Sequence, residues 1–356
     1  MSSTYRRAPT TILLPDLVSH CKFDLHTDRN HRLVTVESKN WMFNGDPDLD
    51  EAARRAFRGL KAGRFAAMVY ANAGYPQLRS CSDFLNWFFH LDNLSDDMDD
   101  RGIDNVANVV MNTIHHPHTY RCSVRLNRMT KEFVFSLGSS WFLPFYADSS
   151  FYTRIMQTAS PGACRRLQET LEFFFQAIQQ QALNRASGTI PDLASYISLR
   201  RDTSGCKTTW ALIEYAYNLD IPDDVMNHPI IRSMGEATND FVAWSNDIFS
   251  YDEEQSKGDT HNMIDVIMKE QGLDLQDAIN VVGEYCKRAI DRFVKDRATL
   301  PSWGPAVDAD VRKYVDGLAN WIVGVMHWSF ETERYFGKGA KQIKATGLVT
   351  LRPKTV

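Results

Sequence analysis

The chain has 356 residues, 44% of them apolar and 24% charged, with a formal net charge of −4. That is enough apolar material for a large buried core, and so balanced a charge gives no whole-chain field favouring nucleic acid or an anionic membrane. No apolar run reaches the ~18 residues of a membrane span, and the opening MSSTYRRAPTTILLPDL is too briefly apolar for a signal peptide, so a cytoplasmic protein without stable membrane insertion is expected.

The first 45 residues are mixed in pattern. Asp46-Pro47-Asp48-Leu49-Asp50 then reads as a helix start, its carboxylates suiting the positive end of the helix dipole. From there helical periodicity dominates, with apolar residues returning every three or four positions in LDEAARRAFRGLKAGRFAAMVYA, SDFLNWFFHLDNLSDDM and CRRLQETLEFFFQAIQQQAL. Breaks fall at Gly74-Tyr75-Pro76, His116-Pro117, Ser160-Pro161-Gly162, Gly188 to Pro191, Ile221-Pro222 and Pro301 to Pro305. His115, His116 and His118 flank one of these prolines and read as loop, because the proline disrupts an i, i+4 ligand geometry. Asp223-Asp224, after Pro222, reads as another helix start. Six cysteines, Cys21, Cys81, Cys122, Cys164, Cys206 and Cys286, stand far apart with no CxxC pair and read as reduced core thiols. The expectation is all-α: one irregular helical bundle forming a single domain over residues 1–356, with a core from about Pro15 to Phe336. The basic last twenty residues, GKGAKQIKATGLVTLRPKTV, read as a mobile tail or flap.

Two oxygen-bearing stripes stand out. NWFFHLDNLSDDMDD begins as an aromatic, apolar helix and turns acidic at Asp92. Asp92 and Asp96 share a helix face about 6 Å apart along the axis, and no Lys or Arg at i+4 neutralises them. Taken alone, the stretch fits either a solvated helix end or a cation site. In SNDIFSYDEEQ, Asn246, Ser250 and Glu254 recur at i, i+4 and i+8 as an amide, a hydroxyl and a carboxylate. These are hard oxygen donors of the sort Mg²⁺ takes alongside waters and substrate phosphates. Asp247, Asp252 and Glu253 beside them also allow a plain acidic surface.

Together these residues resemble class I terpene synthases, specifically the microbial sesquiterpene cyclases of fungi. The family's aspartate-rich motif is similar to Asp92-Asn93-Leu94-Ser95-Asp96, with Asn93 in place of the commoner second aspartate. Its NDxxSxxxE motif is matched in full by Asn246, Asp247, Ser250 and Glu254. Arg200 in YISLRRDTSG, 46 positions upstream of Asn246, fits the diphosphate-sensing arginine. WSFETERYF supplies the C-terminal Arg334-Tyr335 pair. Glu253 departs from the pattern, since relatives often carry lysine there, and Lys257 in the next turn is a substitute.

The resemblance implies a class I terpenoid synthase fold around a central cavity and a carbon–oxygen lyase acting on a prenyl diphosphate, farnesyl diphosphate first and geranyl diphosphate also open. Three Mg²⁺ ions would be held by Asp92, Asp96, Asn246, Ser250 and Glu254. The diphosphate would be met by Arg200, Lys257, Arg334 and Tyr335. Phe89 and Trp328 would line the cavity and face the carbocation, with Phe65 and Tyr70 as weaker candidates; this gives a use to an aromatic content of 12% with eight tryptophans. Asp46 to Asp50 is not the DxDD signature of protonation-initiated cyclases. HLDNLSDDMD resembles enzymes leading to cadinane, muurolane or germacrane skeletons. The alternatives are a chain-elongating prenyl diphosphate synthase, which needs a second DDxxD motif, and a non-catalytic prenyl-binding protein.

Overall fold

Local chemistry sets the helix starts. In the computed structural model, which describes residues 10–45, 49–96, 98–116, 119–120, 130 and 151–355, the chain runs β1 (Thr11–Leu13), α1 (His31–Gly45), α2 (Glu51–Leu60), α3 (Ala62–Val69), α4 (Tyr75–Asp96), α5 (Asp100–His115) and α6 (Phe151–Thr158). It continues through α7 (Pro161–Ala186), α8 (Leu193–Thr203), α9 (Cys206–Ala216), α10 (Asp223–Met226), α11 (Pro229–Lys257), α12 (Met263–Gln271), α13 (Leu275–Ala298) and α14 (Pro305–Ser329). A 3₁₀ turn (Gly337–Gly339), α15 (Ala340–Thr346) and β2 (Leu348–Thr350) complete it. Asp50 caps α2 by accepting from the Ala53 amide, although Asp46, Pro47 and Asp48 lie outside the described residues. Asp99 caps α5, Ser160 caps α7 with Pro161 behind it, and Asp192 caps α8. Pro222 precedes α10, whose first turn carries Asp223 and Asp224. Asp223 receives Arg165 and Arg166 from α7. His115 is the last residue of α5 rather than part of a loop, because the helix runs on to the residue before its C-cap His116, and it bonds Glu172; His118 lies outside the described residues.

α3 is apolar apart from Arg64, which pairs with Glu331, and its other residues are all buried, as in a helix at the centre of a bundle. α14 and α4 pack against it, and α11 pairs with α13 along most of its length. Trp87, Trp328, Tyr70, Tyr196 and Phe174 are among the largest fully buried side chains. Small residues permit close approach: a Cβ at Gly324 would come within 2.8 Å of Val69. A Cβ at Gly283 would meet Pro15 at 2.6 and 2.8 Å, where the N-terminal segment crosses α13. Gly283→Ala is therefore expected to cost about 1–3 kcal/mol through overpacking, read as a lower urea midpoint with an unchanged slope. Among the described residues no helix is long and apolar enough to cross a membrane. Cys21, Cys81, Cys164, Cys206 and Cys286 are buried free thiols, and Cys122 lies outside the described residues.

The expected tail is instead tied down. β2 pairs antiparallel with β1, with Ile12 opposite Val349, and both of these are buried while their neighbours face outward. Beyond β2, the Arg352 amide donates to Asp252 Oδ1 at 2.6 Å, Gln255 Nε2 donates to the Arg352 carbonyl at 2.8 Å, and the Thr355 amide donates to the Ser256 carbonyl at 2.8 Å. Alternation over three residues is too short to register as a strand in the sequence, and its partner lies at the far end of the chain.

Candidate active site

The C-terminal half of α4 brings Phe89 and Asp92 to one end of the bundle, and α11 brings Asn246, Ser250 and Glu254 to the same end from another side. α8 contributes Arg200, the end of α14 contributes Trp328, and the turn after it contributes Arg334 and Tyr335. Between them lies a cavity of about 470 Å³. Asp92, Arg200, Asn246, Glu254, Arg334 and Tyr335 line it, so most of the residues singled out in the sequence converge. Lys257 also reaches its rim, where Nζ bonds Glu253 Oε1 at 2.7 Å. Ser250 lies on an adjoining cavity of about 560 Å³ that shares Glu254, Lys257, Arg334 and Tyr335 with the first. The Asp96 backbone ends α4, and its side chain lies outside the described residues.

The polar groups are already paired across elements. Arg334 Nη2 donates to Asp92 Oδ2 at 3.2 Å and Nη1 to Asn93 Oδ1 at 3.4 Å, with the guanidinium 5.3 Å from the centre of the Phe89 ring. Arg200 Nη2 donates to Asn246 Oδ1 at 2.8 Å, while Asn246 Nδ2 donates to the Tyr335 hydroxyl at 2.8 Å. Ser250 Oγ donates to the Asn246 carbonyl at 2.7 Å. Asp247, one residue round the helix, points away from the cavity. It is 1% exposed, takes Arg200 Nε at 3.0 Å, the Tyr196 hydroxyl and the Met263 amide, and so anchors the arginine from behind. Arg201 faces elsewhere and is held by Asp240 and Glu236.

Burial, with Asp247 nearby, pushes the Glu254 carboxyl up to about 7, although Asn262 hydrogen-bonds it at 2.8 Å. A carboxylate held in so poor a place for a lone charge gains from a cation. Burial, then Arg200 and Arg185, lowers His261 to about 3 and keeps it neutral on the cavity wall. Among the described residues no three His, Cys, Asp or Glu side chains gather into a metal cluster. The oxygen donors are instead mixed in type and divided between α4 and α11. Such a set suits a hard cation that takes its remaining ligands from water and phosphate.

Below the polar rim the wall is aromatic. Trp328 is fixed by a 2.9 Å bond from Nε1 to the Leu60 carbonyl and stacks on Phe65 with centroids 4.3 Å apart and planes at 19°. Phe89 lies 5.7 Å from Trp328. Phe65 lines the cavity, whereas Tyr70 is buried behind it and donates to the Thr209 carbonyl. Trp321 and Phe88 also line it and were not singled out in the sequence. Trp321 was accessible to the same reasoning, since it stands seven residues before Trp328 on one face of α14.

An all-helical bundle with a polar rim of carboxylates, amide and arginines over an aromatic pocket is the architecture of a class I terpenoid synthase. The family model "Terpene synthase family 2, C-terminal metal binding" matches residues 83–292, and the chain belongs to the terpene synthases, carbon–oxygen lyases that bind divalent metal. It is 58% identical to sesquiterpene synthase Agr1 of Cyclocybe aegerita, over 96% of this chain and 94% of that protein. It is 54% identical to sesquiterpene synthase 1 of Postia placenta, over 98% and 97%. It is 45% identical to alpha-muurolene synthase of Coprinopsis cinerea, over 98% and 80%. Germacradien-4-ol synthase from Streptomyces citricolor superposes with a TM-score of 0.72 at 21% identity, over 86% of this chain and 96% of that one. At that identity the likeness is one of fold.

Proposed function

We propose that the protein is a sesquiterpene synthase that ionises farnesyl diphosphate with the help of Mg²⁺, cyclises the resulting cation and releases diphosphate. The observation that carries this is the cavity in which Asp92, Asn246 and Glu254 meet Arg200, Arg334 and Tyr335 above Phe65, Phe89 and Trp328. The names of the close relatives support the C15 substrate, and alpha-muurolene synthase among them favours a cadinane or muurolane skeleton.

In this reading the allylic C–O bond breaks with its electron pair leaving on the diphosphate. A distal double bond of the same chain then attacks the cation, and a proton is finally lost from carbon to the departed diphosphate. Three Mg²⁺ ions, held by Asp92, Asp96, Asn246, Ser250 and Glu254, would stabilise the charge gathering on the diphosphate as Lewis acids. Arg200, Arg334 and Tyr335 are placed to donate to its oxygens, since a fixed guanidinium fork matches phosphate geometry. Lys257, held by Glu253, is a more exposed donor at the rim. Arg334, which now donates to Asp92 Oδ2, would turn its guanidinium to the diphosphate when substrate binds. The ring faces of Phe89 and Trp328 offer the cation diffuse attraction of up to ~2 kcal/mol each while keeping water out.

Incubation with farnesyl diphosphate and Mg²⁺ under an organic overlay, followed by gas chromatography–mass spectrometry, should yield a metal-dependent cyclic C15 product. In parallel, inorganic diphosphate with Mg²⁺ should stabilise the fold by about 2.7 kcal/mol at a hundred times its dissociation constant. Longer prenyl diphosphates, formed only with isopentenyl diphosphate present, would mark a chain-elongating synthase. Thermal stabilisation without turnover of geranyl, farnesyl or geranylgeranyl diphosphate would mark a binding protein.

A further inference from the structure

We propose that Asn262 is a positioning residue that presents Glu254 to the cations of the active site through its side-chain amide. This rests on the metal-assisted reading above. Asn262 precedes α12 and is 0% exposed. Its Oδ1 accepts from the Ile264 amide at 2.9 Å, an N-cap bond that any serine or aspartate could supply. The amide nitrogen is not needed for capping. It points at α11, with Nδ2 2.7 Å from the Asp247 carbonyl and 2.8 Å from Glu254 Oε2. Asp247 and Glu254 are seven residues apart, two helical turns, so one nitrogen ties the backbone of one motif residue to the carboxylate of another. The neighbouring Met263 amide donates to Asp247 Oδ2 at 3.1 Å and fixes the same joint from its other side.

The arrangement has a directional consequence for the carboxylate. Glutamate has three side-chain torsions, and a buried one without a fixed partner could turn away from the rim. With Oε2 engaged by Asn262 at 2.8 Å, and Ser250 also hydrogen-bonding the carboxylate, the side chain is held in one orientation in which it would meet a cation. Partners of this kind, one step removed from the cation, typically change metal affinity 10- to 100-fold when lost.

The test uses the full chain and two readouts. Mg²⁺ is titrated at fixed inorganic diphosphate by thermal shift, and the Mg²⁺ dependence of kcat and KM for farnesyl diphosphate is measured separately. Asn262→Ser keeps the capping oxygen but cannot reach Glu254. It is expected to raise the Mg²⁺ half-saturation about 10- to 100-fold in both readouts, with kcat recovering at saturating Mg²⁺. Asn262→Asp also keeps the cap but aims an oxygen at Glu254. It should weaken Mg²⁺ at least as much, and it carries the test if the serine variant does not fold. A Mg²⁺ titration indistinguishable from wild type in either folded variant overturns the inference. Glu254→Gln separates the two levels: if it loses the Mg²⁺ response while Asn262→Ser keeps it, only the role of Asn262 fails. No Mg²⁺-dependent response in the wild type would remove the metal-assisted reading and this inference with it.

Discussion

Asn246→Ala should lower kcat/KM for farnesyl diphosphate at least ~10²-fold while leaving the helical circular dichroism signal unchanged. The side chain has three tasks at one point. It is an oxygen donor on the α11 stripe, it accepts from Arg200, and it donates to Tyr335. Truncation removes the candidate ligand and also releases two of the groups expected to meet the diphosphate. Asn246→Asp keeps an oxygen in place and can accept from both neighbours, so it should recover much of the loss. A near-normal Asn246→Ala enzyme would show that the stripe does not bind the reacting cluster.

The second large effect is on stability. Asp247→Ala is expected to cost about 3–5 kcal/mol, because it leaves the Arg200 guanidinium buried without its counter-charge. The Arg200 side chain is 12% exposed and the Asp247 side chain 1%. Urea unfolding should show this as a large fall in midpoint. Asp247→Asn separates charge from shape: it is nearly isosteric, so a cost close to that of alanine would identify the missing charge as the cause. A loss below about 1 kcal/mol for Asp247→Ala would mean that water or Asn246 takes over the arginine.

These two neighbours also illustrate what the sequence discloses. The α11 stripe is legible because a helix repeats every 3.6 residues, so Asn246, Ser250 and Glu254 must share a face. That period also turns Asp247 away, yet nothing local says that Arg200, Tyr196 and the Met263 amide wait behind it. The pairing of Arg200 rather than Arg201 with the motif is likewise a matter of helix phase, settled only once α8 is laid against α11. Trp328 and Phe89 were accessible from their spacing to motif residues. Asn262 was not, because its own segment gives it an ordinary capping role and its second function depends on contact with another helix. Ser250 lies on an adjoining cavity although its helix phase matches Asn246, since side chains from α2 and the turn after α14 determine which space each donor meets.

The pairing of β1 with β2 joins residues near opposite ends of the chain, and the residues after β2 grip Asp252, Gln255 and Ser256 on either side of Glu254. Contacts so distant along the chain form late in folding, because the intervening chain must be ordered before they offset the entropy of closure. The last turns of α11 are therefore expected to acquire their final restraint after the bundle has assembled. Recovery of activity on refolding is thus expected to lag behind recovery of the helical signal, and coincident recoveries would show that the terminal pairing forms together with the bundle.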